Sequence, residues 1–145
     1  MASLRGVTHG LGVRRSALRV AAARTLVKAA TFKVTHMLSK DTIQSAVDRL
    51  AAAASSPVRV ILFGSYGRGT ADPGSDLDLM VIEREVADPA GEYMRLIDAV
   101  GRVARGVGVD LLIYTLSEFE RRSQVPGTIL FRACREGRVL HDALH

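Results

Sequence analysis

Asp76 and Asp78 stand two residues apart in a segment otherwise made of Leu77, Leu79, Met80, Val81 and Ile82. In a strand, positions two apart share a face, so both carboxylates project together, roughly 7 Å apart along the backbone, while Leu77, Leu79 and Val81 point into the opposite layer. Aspartate is depleted in strands, and burying a lone carboxylate is costly unless a partner compensates it. A divalent cation is the simplest compensator. Asp110 repeats the anomaly ahead of Leu111, Leu112 and Ile113. If its strand pairs beside the first, three carboxylates converge at one end of a sheet. Hard oxygen ligands of this kind suit Mg²⁺, which takes a few carboxylates and leaves its other positions to water and phosphate. Two such ions, roughly 3.5 to 4 Å apart, stabilise the attacking and leaving oxygens of an in-line displacement at phosphorus. On this geometry Asp76 and Asp78 bridge the metals, and Asp110 completes the one that lowers the pKa of an acceptor hydroxyl.

Gly64 and Ser65 directly follow the apolar run ending at Phe63. Backbone N–H groups at the start of a helix bind phosphate, glycine allows close approach, and the serine hydroxyl adds a donor, so the pair reads as a triphosphate cradle. Arg68 either neutralises phosphate charge there or pairs with Asp72. Tyr66 either faces a nucleotide or covers the sheet edge. Three other motifs fail on the same stretch. Gly64 and Gly69 have P-loop spacing, but Thr70 and Ala71 follow where Lys and Ser/Thr are required. Gly67 and Gly69 lack the third glycine of a dinucleotide fingerprint, since Asp72 occupies its place. A calcium loop beginning at Asp72 would put Leu77 where the sharp turn needs glycine.

The elements that must position these residues can be read from periodicity. Ile43, Ala46, Val47, Leu50 and Ala51 recur at helical spacing from Lys40, with Asp41 and Thr42 as capping residues, and the helix is expected to end near Ser55, before Pro57. Val58 to Phe63 reads as a buried strand, Gly64 to Thr70 as a glycine-rich, polar stretch where a helix or turn would begin, and Asp72, Pro73 and Gly74 as a turn. Strands are expected at Leu77 to Glu83 and Val109 to Thr115, with a helix from Glu92 to about Arg105 between them, closed by Gly106 and Gly108. A short helix around Ser117 to Arg122, a break at Pro126 and Gly127, and a last helix from about Thr128 to Glu136 complete the reading. The expected architecture is α/β, a small mixed β-sheet with helices packed on it, built on three strands that alternate with helices.

Composition bounds the rest. The chain has 145 residues, 48% of them hydrophobic and 24% charged, enough for one domain with a real core. Cys134 is the only cysteine, and His9, His36, His141 and His145 lack ligand spacing, so neither a disulfide framework nor a cysteine-rich zinc site is expected. This fits a reducing, cytoplasmic setting. The apolar stretches fall far short of the ~20 residues that span a bilayer. The net charge of +5 divides unevenly: residues 1–40 hold eight Lys or Arg and no acid, whereas residues 41–145 hold twelve basic and fifteen acidic residues, giving +8 and −3. Residues 1–36 are therefore read as a basic leader and 37–145 as the folded domain. The leader is an upstream start misplaced ahead of Met37, a basic arm that touches nucleic-acid phosphates, or an organelle transit peptide. Nucleic acid is not expected as a partner of the domain itself.

Taken whole, the stretch LFGSYGRGTADPGSDLDLMVIE, with Gly64-Ser65, Asp76-Leu77-Asp78 and the later Asp110, resembles the nucleotidyltransferase superfamily typified by DNA polymerase beta, and within it the minimal nucleotidyltransferases. The resemblance covers about residues 38 to 140. It implies a nucleotidyltransferase fold, two Mg²⁺ ions and ATP as the substrate that donates AMP. Larger members carry an extra domain for the acceptor, for which this chain leaves no room, so the acceptor is expected on another molecule. Minimal members are typically the antitoxin of a pair with a HEPN toxin, a helical RNase that they silence by attaching AMP to a tyrosine. Transfer to a small molecule, and an antitoxin that neutralises by binding alone, are the alternatives.

Overall fold

The computed structural model describes residues 37–104 and 106–144. The expectations placed on residues 1–36, on His145 and on Arg105 as a helix end lie outside the described residues. The first helix, α1 (Lys40–Ala53), is capped by Ser39, whose side chain accepts from Thr42 N at 3.1 Å. Ser39, rather than Asp41 or Thr42, is thus the cap, and Asp41 sits in the first turn where an acid complements the helix dipole. The helix stops two residues earlier than expected, because Ala54 is already extended. Next come β1 (Pro57–Phe63), a one-turn helix α2 (Gly64–Arg68), β2 (Leu77–Glu83), α3 (Pro89–Gly101), β3 (Val109–Thr115), α4 (Leu116–Arg122), α5 (Ile129–Glu136) and β4 (Arg138–Asp142).

Both ends of α3 and one strand also differ from the sequence reading. Helix α3 begins three residues earlier than expected, since Pro89 is pre-set for the first turn and Asp88 accepts from Gly91 N at 3.2 Å. It also ends at Gly101, beyond which Val103 and Ala104 turn back onto the Val100 carbonyl. Val103 still packs against the core from that turn, which is why the apolar stripe overran the helix. The strand β4 was not anticipated at all. It is a five-residue, half-exposed edge strand whose pairing to β1 comes from tertiary contact rather than from any alternation of its own.

The four strands form one mixed sheet in the order β3-β2-β1-β4. β1 pairs antiparallel with both β2 and β4, whereas β2 and β3 run parallel. Alternation sends Val60, Leu62, Leu77, Leu79, Val81 and Leu111 to one face, where Val47 and Leu50 of α1 and Leu96 and Val100 of α3 cover them. Ile61, Phe63, Met80, Ile82 and Leu112 go to the other face, under Phe119 of α4 and Leu130 and Ala133 of α5. This is an α/β domain with a helical layer on each side of the sheet, as expected from the alternation of elements. No described helix is long and apolar enough to cross a membrane.

Candidate active site

The face carrying Met80 and Leu112 also carries Asp78 and Asp110, because each lies two residues before the corresponding apolar side chain. In the parallel register Asp78 stands directly opposite Asp110. Leu77 N donates to Gly108 O at 2.8 Å, which ties the start of β2 to the residue before β3 and keeps the two carboxylates level. Asp76 precedes β2 by one residue and is delivered by the turn before it. There Asp72 Oδ1 accepts from Gly74 N at 2.8 Å, and Ser75 Oγ accepts from Asp72 N at 2.8 Å. All three aspartates are half-buried, and Oδ1 of Asp76 is itself buried.

Gly64 reaches the same place from the neighbouring strand. β1 ends with Phe63 opposite Asp78, and Gly64 then takes a positive φ of 67° to start α2. A Cβ built there would collide with Asp78 Oδ2, so only glycine leaves the backbone this close to the carboxylate. Ser65 follows, its carbonyl accepting from Thr70 N at 2.9 Å and closing the loop. Tyr66 does not face the loop. It is buried in the core, and its hydroxyl accepts from Leu38 N at 3.1 Å, in keeping with its reading as a cover for the sheet.

Arg68, the last residue of α2, pairs with Glu136 at the end of α5 (Nη1–Oε2 3.7 Å). Its partner is not Asp72, whose carboxylate is engaged in its own turn. A further cation was missed from sequence: Arg138 Nη2 lies 3.6 Å from where a Cβ on Gly69 would be, at the end of the same loop. No local signal could have found it, because only the pairing of β4 with β1 brings it there.

Two groups with displaced proton affinities lie away from these aspartates. Burial pushes the Glu83 carboxyl up from the ordinary 4.5, partly offset by the donors of Ser56 and the charge of Arg95. Burial likewise raises the Tyr114 phenol, against the lowering effect of Arg122. Glu83 is the last residue of β2, at the end of the strand opposite to Asp78.

The site thus offers oxygen donors from two adjacent strands, set against the backbone at the start of α2. Among the described residues, no three His, Cys, Asp or Glu side chains stand together as a ready metal cage. The donor set nonetheless fits a hard divalent cation that draws part of its coordination from phosphate and water. The profile of the family described as "Nucleotidyltransferase domain" matches residues 43–133, which span β1, the Gly64-Ser65 loop, β2 and β3. The chain belongs to this nucleotidyltransferase family. Solved structures that resemble it include the following two. One is a toxin–antitoxin with AMP-PNP, 23% identical, covering 72% of this chain and 74% of that one with a TM-score of 0.52. The other is a candidate nucleotidyltransferase from Sulfolobus solfataricus, 18% identical, covering 72% and 80% with a TM-score of 0.46. The first likeness agrees with the nucleotidyltransferase fold described above. Comparison with curated proteins gives no match.

Proposed function

We propose that this nucleotidyltransferase moves AMP from ATP to a tyrosine hydroxyl on a HEPN-family toxin and thereby acts as its cytoplasmic antitoxin. The observation that carries the chemistry is the register pair Asp78–Asp110 with Gly64 seated against Asp78. It sets carboxylates from two strands beside a loop whose backbone can approach a phosphate. Asp76, Asp78 and Asp110 are the residues that would hold Mg²⁺, which when bound neutralises phosphate charge and lowers the pKa of the acceptor hydroxyl.

The chain's own residues orient the two reactants. Gly64 and Ser65 receive the triphosphate, and Arg68 supplies positive charge at the end of the same helix. The acceptor oxygen bonds to the α-phosphorus as the bond to pyrophosphate breaks, and the hydroxyl proton is released to solvent. A tyrosine, with an ordinary pKa of about 10, needs activation to serve as the nucleophile. Asp110 stands on β3, an edge strand of the sheet.

A protein acceptor is supported by the commitment of the helices. Among the described residues, α1 and α3 cover one face of the sheet and α4 and α5 the other, leaving none to enclose an acceptor. The toxin–antitoxin neighbour with its ATP analogue is in keeping with an adenine nucleotide and a toxin partner. To test the reading, the protein is incubated with ATP, Mg²⁺ and the product of the adjacent gene, and both chains are weighed by mass spectrometry. Additions of about 329 Da per AMP on the partner, absent with Asp78→Asn, are expected from transfer at such a site. Neutralisation of the partner with no mass change in either chain would make this a binding antitoxin instead.

A further inference from the structure

Helix α5 presents two unlike sides. Leu130 and Ala133 are buried against the sheet face that carries Asp78 and Asp110. Thr128, Phe131, Arg132 and Arg135 instead line an open groove of about 500 Å³ together with Gly127 and Glu136. Within it Arg135 lies over the Phe131 ring, 5.4 Å from its centroid. Glu136, which also lines the groove, pairs with Arg68 at the end of α2, so the groove adjoins the helix that begins with Gly64 and Ser65.

Charge distinguishes the stretch of sequence that supplies Arg132 and Arg135 to the groove from the rest of the domain. Residues 121–138 hold five arginines and one glutamate, net +4, whereas residues 41–145 as a whole are net −3, so the remainder carries −7. An acidic body with one basic flank attracts a short acidic segment to that flank and repels a long polyanion that would have to cross the body. Phe131, with Val125 (48% exposed) and Ile129 (36%) nearby in the chain, adds apolar surface of the kind proteins bury against one another. We propose that this groove is the docking site of the partner protein, which lays a short acidic segment along Arg132 and Arg135 beside its acceptor hydroxyl. The inference rests on the protein-acceptor reading above and adds to it where the partner binds and with what chemistry.

The test uses the full chain and a fluorescent peptide with one tyrosine flanked by glutamates, its counterpart with glutamines, and a single-stranded RNA oligomer. The acidic peptide is expected to bind more tightly than the glutamine peptide, with an affinity that falls as salt is raised. Reversing both charges, Arg132→Glu with Arg135→Glu, should weaken its binding by about tenfold or more. The equal charge change on exposed residues elsewhere, Arg49→Glu with Arg84→Glu, should have little effect, which separates the groove from the basic leader present in both proteins. Thermal melts establish that each variant is folded. Equal binding of the two peptides, an equal loss in both double variants, or RNA held through Arg132 and Arg135 in preference to the acidic peptide would overturn the proposal. Groove-dependent peptide binding without AMP addition to the neighbouring gene's product upholds the docking site and removes the transfer reading.

Discussion

Glycine at position 64 is required twice, once by its φ of 67° and once by the Asp78 carboxylate that occupies the space of a side chain. Gly64→Ala should therefore cost about 1–2 kcal/mol from the left-handed backbone alone and displace Asp78 as well. Transfer should fall at least about tenfold in a mass-based assay, consistent with loss of a positioned carboxylate. Mg²⁺ with ATP is expected to raise the melting temperature of the parent, and Asp78→Asn should keep the fold but lose that rise. An unchanged rise would remove Asp78 from the site. Glu83 makes a different prediction. It is fully buried, with Oε1 accepting from Ser56 N at 3.0 Å and Oε2 without a hydrogen-bond partner. Because burial raises its folded pKa above the unfolded value, its contribution to stability is complete below the unfolded pKa and is lost as pH rises through the folded one. Glu83→Gln should melt higher than the parent at pH 8, with the gap closing toward pH 4, since the amide stays neutral throughout. Parallel melting curves for the two proteins across that range would contradict this.

At the scale of elements, α4 and α5 form a thin layer whose stability depends on a few contacts. Thr115 opens α4 with a capping box, accepting from Glu118 N at 3.2 Å while Glu118 Oε1 accepts from Thr115 N at 3.1 Å. Thr115→Ala should cost about 1 kcal/mol. Leu130 of α5 is fully buried among Ile61, Phe63 and Met80, so Leu130→Ala should cost more, about 2–5 kcal/mol. Urea denaturation of the two variants checks the order, and a larger loss from Thr115→Ala would mean that α5 is not anchored as described. The two helices pack on the face bearing Asp78 and Asp110, so loosening either should also reduce transfer.

For the molecule as a whole, the uneven charge division sets the prediction. Residues 1–40 carry +8 and residues 41–145 carry −3, and every candidate site residue lies after Met37. A chain starting at Met37 is expected to keep its melting temperature and its transfer activity. Loss of either on truncation, or loss of RNA binding that the longer chain possesses, would show that residues 1–36 contribute to function. The same experiment tests our proposal that 37–145 is the folding unit.

The sequence by itself determined the strands β1, β2 and β3 and the approximate helices, because those elements satisfy their own periodicity: apolar runs bounded by Pro and Gly, and stripes at helical spacing. It also determined which residues are chemically anomalous, since aspartates such as Asp76 and Asp78 beside a strand of Leu, Met, Val and Ile need a reason wherever the strand goes. Tertiary structure decided what no local pattern encodes. The parallel pairing that places Asp110 opposite Asp78, the collision that reserves Gly64 for glycine, and the Arg68–Glu136 pair in place of Arg68–Asp72 all join residues distant in sequence or set by backbone direction. The edge strand β4 belongs with these, and with it Arg138: a short, half-exposed segment becomes a strand only when β1 offers it an unpaired edge.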